Sequence, residues 1–236
     1  MSRKPGKRYR QCLEKVPKGK VSVAEAVEII KGFAPTKFDS TVELAVHLGI
    51  DPRQAEQALR GSISLSHGIG RSRKVIAFCE GDGVKAAKDA GAIEAGLDDL
   101  IDKIQKGWTD FDVAVASPRV MKSVSKLGRV LGPQGKMPSP KSGTVVDDVP
   151  KAVREYSAGK VEYRNDDGGN LHVPIGKVSF EARQLIENIE EFIGHVKRLR
   201  PTTAKGTYIK KVALSATMSP AVRIDVQSGG HHEGEV

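Results

Sequence analysis

The stretch RVLGPQGKMPSPKSGT, Arg129 to Thr144, holds three glycines, three prolines and three cationic side chains in sixteen residues. A glycine-rich loop ending in Gly-Lys can wrap a phosphate in backbone N–H groups. That chemistry needs Gly, four residues, then Gly-Lys-Ser/Thr, with the hydroxyl on magnesium. Counting back from Gly135-Lys136 puts Val130 where the first glycine belongs, and Met137 stands where the hydroxyl is needed. Pro133 removes a donor as well. The composition predicts a rigid irregular loop instead, structural in role, with phosphate contact by Lys136 and Lys141 as the alternative.

Other polar residues invite a catalytic reading. His67, His172, Asp147, Asp148 and Ser142 are the candidates, and no triad signature joins them. Asp166 and Asp167 sit in NDDGGN, where Asp serves local turn hydrogen bonds. The six histidines show no metal spacing, and His231-His232 lie in a tail, QSGGHHEGEV, whose composition predicts disorder. Cys12 and Cys79 make neither a disulfide framework nor a zinc set. Cys79, inside the apolar run VIAFC, is expected to pack as a free thiol in a reducing cytosol. No catalytic residue, metal or cofactor is expected.

Charge points elsewhere. The 236 residues carry a net charge of +9, with 39% hydrophobic and 28% charged residues. That is enough apolar material for one large domain or two ordinary ones. The excess positive charge fits a polyanion, nucleic acid being the usual one. Aromatics are only 5%, which disfavours base-stacking platforms for single strands. No run approaches the ~20 apolar residues of a membrane span, and no h-region follows the basic start MSRKPGKRYRQ.

The elements that must position these residues read as follows. Met1 to Lys20 carries eight Lys or Arg and one Glu, which predicts an arm that is mobile until a partner orders it. SVAEAVEIIKGF opens a helix with a capping box, Ser22 and Glu25, and an apolar face of Val23, Val27, Ile30 and Phe33. TVELAVHLGI alternates and predicts a half-buried strand. DPRQAEQALRG predicts a helix with Asp51 as N-cap, Pro52 first and Gly61 as stop. From about Arg73, unbroken apolar strands (KVIAFCEG, FDVAVASP) alternate with helices (GVKAAKDAG, LDDLIDKIQKG, RVMKSVSKLGRVL, PKAVREYSAG). That texture predicts a parallel, helix-covered sheet. After Lys160 come strand, turn and strand (KVEYR, NDDGGN, LHVPIGKV). A long amphipathic helix follows in SFEARQLIENIEEFIGHVKRLR, then two more strands, GTYIKKVALSAT and AVRIDV.

Six segments in register now carry a resemblance: KFDSTVEL (37–44), LGIDPR (48–53), RGSISLSHGIG (60–70), LGRVLGPQGKMPSPKSGT (127–144), GKVEYRNDDGGNLHVPIGKVSF (159–180) and AKGTYIKKV…TMSPAVRI (204–224). From about Tyr9 to Val226 the chain resembles the bacterial ribosomal protein L-one family, proteins of the mobile side stalk of the large ribosomal subunit. The resemblance implies two domains in a fold that mixes α/β and α+β. Residues 1–67 with 160–236 would form an α+β domain, a sheet with two helices on one side. Residues 68–159 would form an inserted Rossmann-like α/β domain, with linkers near Ser66–Gly70 and Ala158–Lys160. That likeness does not imply dinucleotide binding, because CEGDGVKAA lacks Gly-x-Gly-x-x-Gly. The implied function is that of a structural constituent of the large subunit. It would bind 23S rRNA at the stalk, contact exit-site tRNA and help release it, and repress translation of its own mRNA. Its implied place is the cytoplasmic ribosome, with no membrane partner and a monomeric free state.

The resemblance also assigns RNA-binding positions: Lys37, Phe38, Thr41, Glu43, Lys177, Thr217, Met218 and Ser219. Arg223 joins Lys37 and Lys177 as a phosphate-neutralising cation. Thr41 and Glu43 lie on the polar side of an alternating strand. Thr217 offers a hydroxyl to a 2′-OH or base edge, which distinguishes RNA from DNA. Glu43 can only accept, so it would meet a 2′-OH or base amine, or orient Lys37. Phe38 is expected in the core. Met218 either plugs a gap or covers a ribose or base. Arg223, between Val222 and Ile224, also fits a plain solvated face. The family usually has Gly where this chain has Ser219, so the turn here either does without a glycine conformation or uses the serine hydroxyl.

Overall fold

The computed structural model describes residues 5–226; the tail expected to be disordered, from residue 227 onward, lies outside them. In chain order the elements are α1 Lys7–Glu14, α2 Val23–Lys31, β1 Thr41–Leu48, β2 Arg60–Ile63, β3 Val75–Phe78, α3 Asp82–Asp89, β4 Glu94–Gly96 and α4 Asp98–Gln105. They continue with β5 Val113–Ala116, α5 Met121–Val124, α6 Gly128–Leu131, α7 Val149–Ala158, β6 Val161–Arg164, β7 Asn170–Lys177, α8 Ala182–Arg198, β8 Ile209–Ala216 and β9 Val222–Ile224. The fold is mixed α/β. It divides into two compact units: 1–59 with 65–70 and 163–236, and 60–64 with 71–162.

In the first unit, β1 sits inside an antiparallel sheet of order β7-β1-β8-β9. The alternation in TVELAVHL has its expected consequence: Val42, Leu44, Val46 and Leu48 are buried, and their neighbours turn the other way. α2 and α8 cover the apolar face. α2 starts with the complete capping box of Ser22 and Glu25 and buries Ala26, Val27 and Ile30; Phe33, read as part of that face, follows the helix and is buried too. α8 buries Leu185, Ile189, Phe192 and Val196 along one side. Phe180, read as part of that face, precedes the helix. Asn188 is fully buried on α8 and fully used: it donates to Gly68 O at 3.0 Å and Ile175 O at 2.9 Å, and accepts from the His67 amide at 3.2 Å.

In the second unit, β4-β3-β5 is a three-stranded parallel sheet. Ile76 and Phe78 pack with Leu100, Ile104, Val124 and Leu127 on one face. Val75 and Ala77 pack with Ala87, Val153 and Tyr156 on the other. Both faces are covered, which is why these strands are apolar throughout. The three-residue β4 escaped sequence reading because it is too short to show a period. β2 and β6 form a separate two-stranded sheet.

Three expectations fail. The basic arm is not shapeless: Lys7–Glu14 is helical, and Cys12 is 1% exposed. Burial of that one face gives the arm a tertiary anchor. DPRQAEQALRG is a run of turns, not a helix. The Asp51 carboxylate accepts from the Arg53 amide at 3.1 Å, and the Gln57 side chain accepts from the Asp51 amide at 2.8 Å. The segment has too few apolar residues to bury a helical face, so side-chain bonds hold turns instead. RVMKSVSKLGRVL forms α5 and α6 interrupted by 3-10 turns rather than one regular helix.

Candidate nucleic-acid interface

Strand register brings the predicted residues together. Thr41 lies opposite Lys177, and Glu43 opposite Pro174 on one side and Ser215 on the other. Ala45 pairs with Ala213, and Ala213 with Arg223. Directly opposed residues share a face. Thr41, Glu43, Lys177 and Arg223 therefore belong to the sheet face that α2 and α8 leave open. Thr217, Met218 and Ser219 form the turn between β8 and β9 beside it, and Lys37 and Phe38 lie in the loop entering β1.

This surface is tied by local hydrogen bonds. The Lys177 ammonium donates to Thr41 Oγ1 at 2.9 Å, so the Thr41 hydroxyl proton is free for another acceptor. Thr217 donates twice to Thr41 O, from its amide at 3.0 Å and its hydroxyl at 3.2 Å. The Asp39 carboxylate accepts from the Ser179 amide and hydroxyl at 3.2 and 2.7 Å, fastening the Lys37–Ser40 loop to the end of β7. Ser40, 5% exposed, reaches Thr36 Oγ1 at 2.8 Å and donates to Thr217 O at 3.5 Å.

Met218 is the one non-glycine among the described residues with positive φ, at 65°. The left-handed strain thus falls one residue before Ser219, and Ser219 itself needs no glycine conformation. The Arg8 guanidinium from α1 donates to Met218 O and, at 3.3 Å, to Ala34 O. Sequence reading missed Arg8. It looked like one cation in a basic arm, and it lies 210 residues from its turn.

Phe38 is not core. It is 52% exposed, and Met218 is 67% exposed; these are the two most exposed large apolar side chains among the described residues. The neighbouring residues Phe33 and Ser40 are buried while Phe38 is not. Glu43 does not orient Lys37: no ion pair or hydrogen bond joins them, and the side chains of Lys37, Glu43 and Arg223 are exposed without a partner. Three charged groups, two large apolar ones and the Thr41 hydroxyl proton thus remain open to a ligand.

Of the polar candidates, Asp148 and Ser142 have local structural work, as has the turn residue Asp166. Asp166 accepts from the Asn170 side chain and amide and from the Gly168 amide, which holds its carboxyl below the usual range. Asp148 caps α7 through the Lys151 amide at 3.0 Å. Ser142 is buried and donates to Ser139 O. Burial pushes the Cys79 thiol up, as an inert core cysteine requires. The Gly/Pro loop faces its own unit: Lys136 donates to Thr109 O at 2.9 Å and lies 5.0 Å from the Phe111 ring centroid. Among the described residues no group of His, Cys, Asp and Glu is placed to hold a metal, and no helix is long and apolar enough to cross a membrane.

The family model described as "Ribosomal protein L1p/L10e family" matches residues 30–220. The large ribosomal subunit protein uL1 of Rhodopirellula baltica is 56% identical over 221 residues, covering 94% of this chain and 98% of its own length. With the family model matching most of the chain and that identity running almost end to end, the chain belongs to the ribosomal protein L1p/L10e family, proteins of the cytoplasmic ribosome and not enzymes.

Proposed function

We propose that the open sheet face and the 217–220 turn bind 23S rRNA at the side stalk of the large ribosomal subunit. One observation carries this reading. Lys37, Glu43 and Arg223 are exposed and unpaired, Phe38 and Met218 are the most exposed large apolar side chains, and all five belong to the open sheet face or to the loop and turn at its edge, as Thr41, Lys177 and Thr217 do. Such a surface supplies cations for phosphates, hydroxyls and a carboxylate for 2′-OH groups and base edges, and apolar cover for riboses or bases. The unit formed by both chain ends, about 1–67 with 160–236, acts as the RNA-binding domain, and 68–159 is the inserted one. The same reading extends to exit-site tRNA, which the protein contacts and helps release. It extends also to its own mRNA, whose translation it represses through an rRNA-like site. The free protein is a monomer.

The test is salt dependence. Binding of a stalk rRNA fragment should weaken linearly in a log–log plot, by roughly 0.7–0.9 per phosphate contact. Lys177→Ala should flatten the slope by about one contact. An unchanged slope would remove Lys177 from the backbone contacts.

A further inference from the structure

Residues 113–146 hold six Lys or Arg and no Asp, Glu or His. Four of those cations, Arg119, Lys122, Lys126 and Arg129, fall on the segmented helix that runs through α5 and α6. At ~100° per residue they occupy about 80° of arc. Val120, Val124, Leu127 and Leu131 occupy the opposite side and are buried. All four cationic side chains are exposed, and none of them makes an ion pair or hydrogen bond. Four other cations of this unit are paired, Lys74 with Asp110, Lys103 with Glu94, Lys160 with Glu155 and Arg71 with Asp112; what sets the stripe apart is that its four lie along one helical face in a segment with no acidic residue. At a rise of ~1.5–2 Å per residue, the stripe spans roughly 15–20 Å in three steps of about 5–7 Å.

We infer that this stripe is a second RNA-backbone surface, separate from the one on the first unit, and that it takes the phosphates of an RNA duplex. The chemistry decides between polyanions. A membrane-binding helix needs apolar or aromatic residues beside its cations, and a protein interface needs an apolar centre. The fully exposed neighbours here are Pro118 and Ser125, and the nearby apolar Met121 and Val130 are half-buried against the core rather than presented outward. A phosphate backbone asks only for spaced positive charge. The inference does not depend on the site proposed above, because the two share no residue.

The experiment uses the full chain, first saturated with a stalk rRNA fragment, then titrated with a labelled 20-base-pair RNA duplex of unrelated sequence. Four contacts predict a log–log salt slope of roughly −3. Replacing Arg119, Lys122, Lys126 and Arg129 together by Ala should lower duplex affinity at least tenfold and bring the slope toward zero, with stalk-fragment binding within twofold. Lys126→Glu alone should weaken duplex binding more than Lys126→Ala. Unchanged duplex binding in the quadruple variant would overturn the inference, as would an equal loss of stalk-fragment binding. So would binding to phosphatidylserine vesicles in place of the duplex. If the stalk fragment does not bind at all, the proposed first site fails, and the duplex titration still reads the stripe on the free chain.

Discussion

The Thr217 hydroxyl donates to Thr41 O at 3.2 Å, so what it offers RNA is its lone pairs, suited to a 2′-OH or base amine. Thr217→Val keeps the β-branched shape and the amide bond to Thr41 O. It removes one exposed internal hydrogen bond, at about 0.5–1.5 kcal/mol. The melting temperature should therefore shift little. Losing the hydroxyl leaves an RNA donor unpaired, at about 1–3 kcal/mol, so affinity should fall roughly ten- to hundredfold. The loss should be larger on stalk RNA than on matched DNA. Binding within twofold of wild type would reduce Thr217 to a turn residue and move recognition to Met218 and the strand around Thr41.

At the scale of elements, α8 carries more than an apolar stripe. His195, near its end, meets the Tyr163 hydroxyl at 2.9 Å. Burial, and then Arg198, push its imidazole below the ordinary value of 6.5. The unfolded chain therefore takes up the proton more readily than the folded one. The stability that neutral His195 contributes is complete above about pH 6.5 and is lost as pH falls through that value toward the lower folded one. His195→Gln retains an acceptor for Tyr163 without the titration. Thermal unfolding followed from pH 7 to pH 5 should show a shallower decline in the variant than in wild type. Parallel declines would show that other groups set the acid sensitivity.

For the whole molecule, every residue of the proposed rRNA surface lies in the compact unit that contains both chain ends. Residues 1–70 joined by a short flexible linker to 160–236 should fold and bind a stalk rRNA fragment within about threefold of the full chain, a difference well under 1 kcal/mol. The 71–159 fragment should bind that RNA no better than an unrelated duplex, since its basic stripe reads charge and not sequence. Filter binding of both pieces is the measurement. Selective, near-native affinity in 71–159 would relocate the site to the second unit.

What the sequence determined by itself were the features encoded locally. The alternation of TVELAVHL identifies the solvent face on which Thr41 and Glu43 stand. The Ser22–Glu25 box marks a helix start, and the unbroken VIAF and VAVA mark a sheet covered on both faces. The six family segments placed the candidate residues in number. Tertiary structure decided whatever depends on distant partners. DPRQAEQALRG has good helix punctuation, yet with little apolar surface to bury it is held as turns by Asp51 and Gln57. Phe38 is an aromatic of the kind usually found in a core but is exposed, and which loop side chains are buried depends on tertiary neighbours that no local pattern encodes. The arm's Arg8 becomes the clamp on the Met218 carbonyl only when β8 and β9 bring that turn to α1. Capping and periodicity act within a few residues and can be read along the chain. Which face stays open, and which cation remains unpaired on it, follows from contacts between segments as much as 210 residues apart, and those exist only once the sheet is paired.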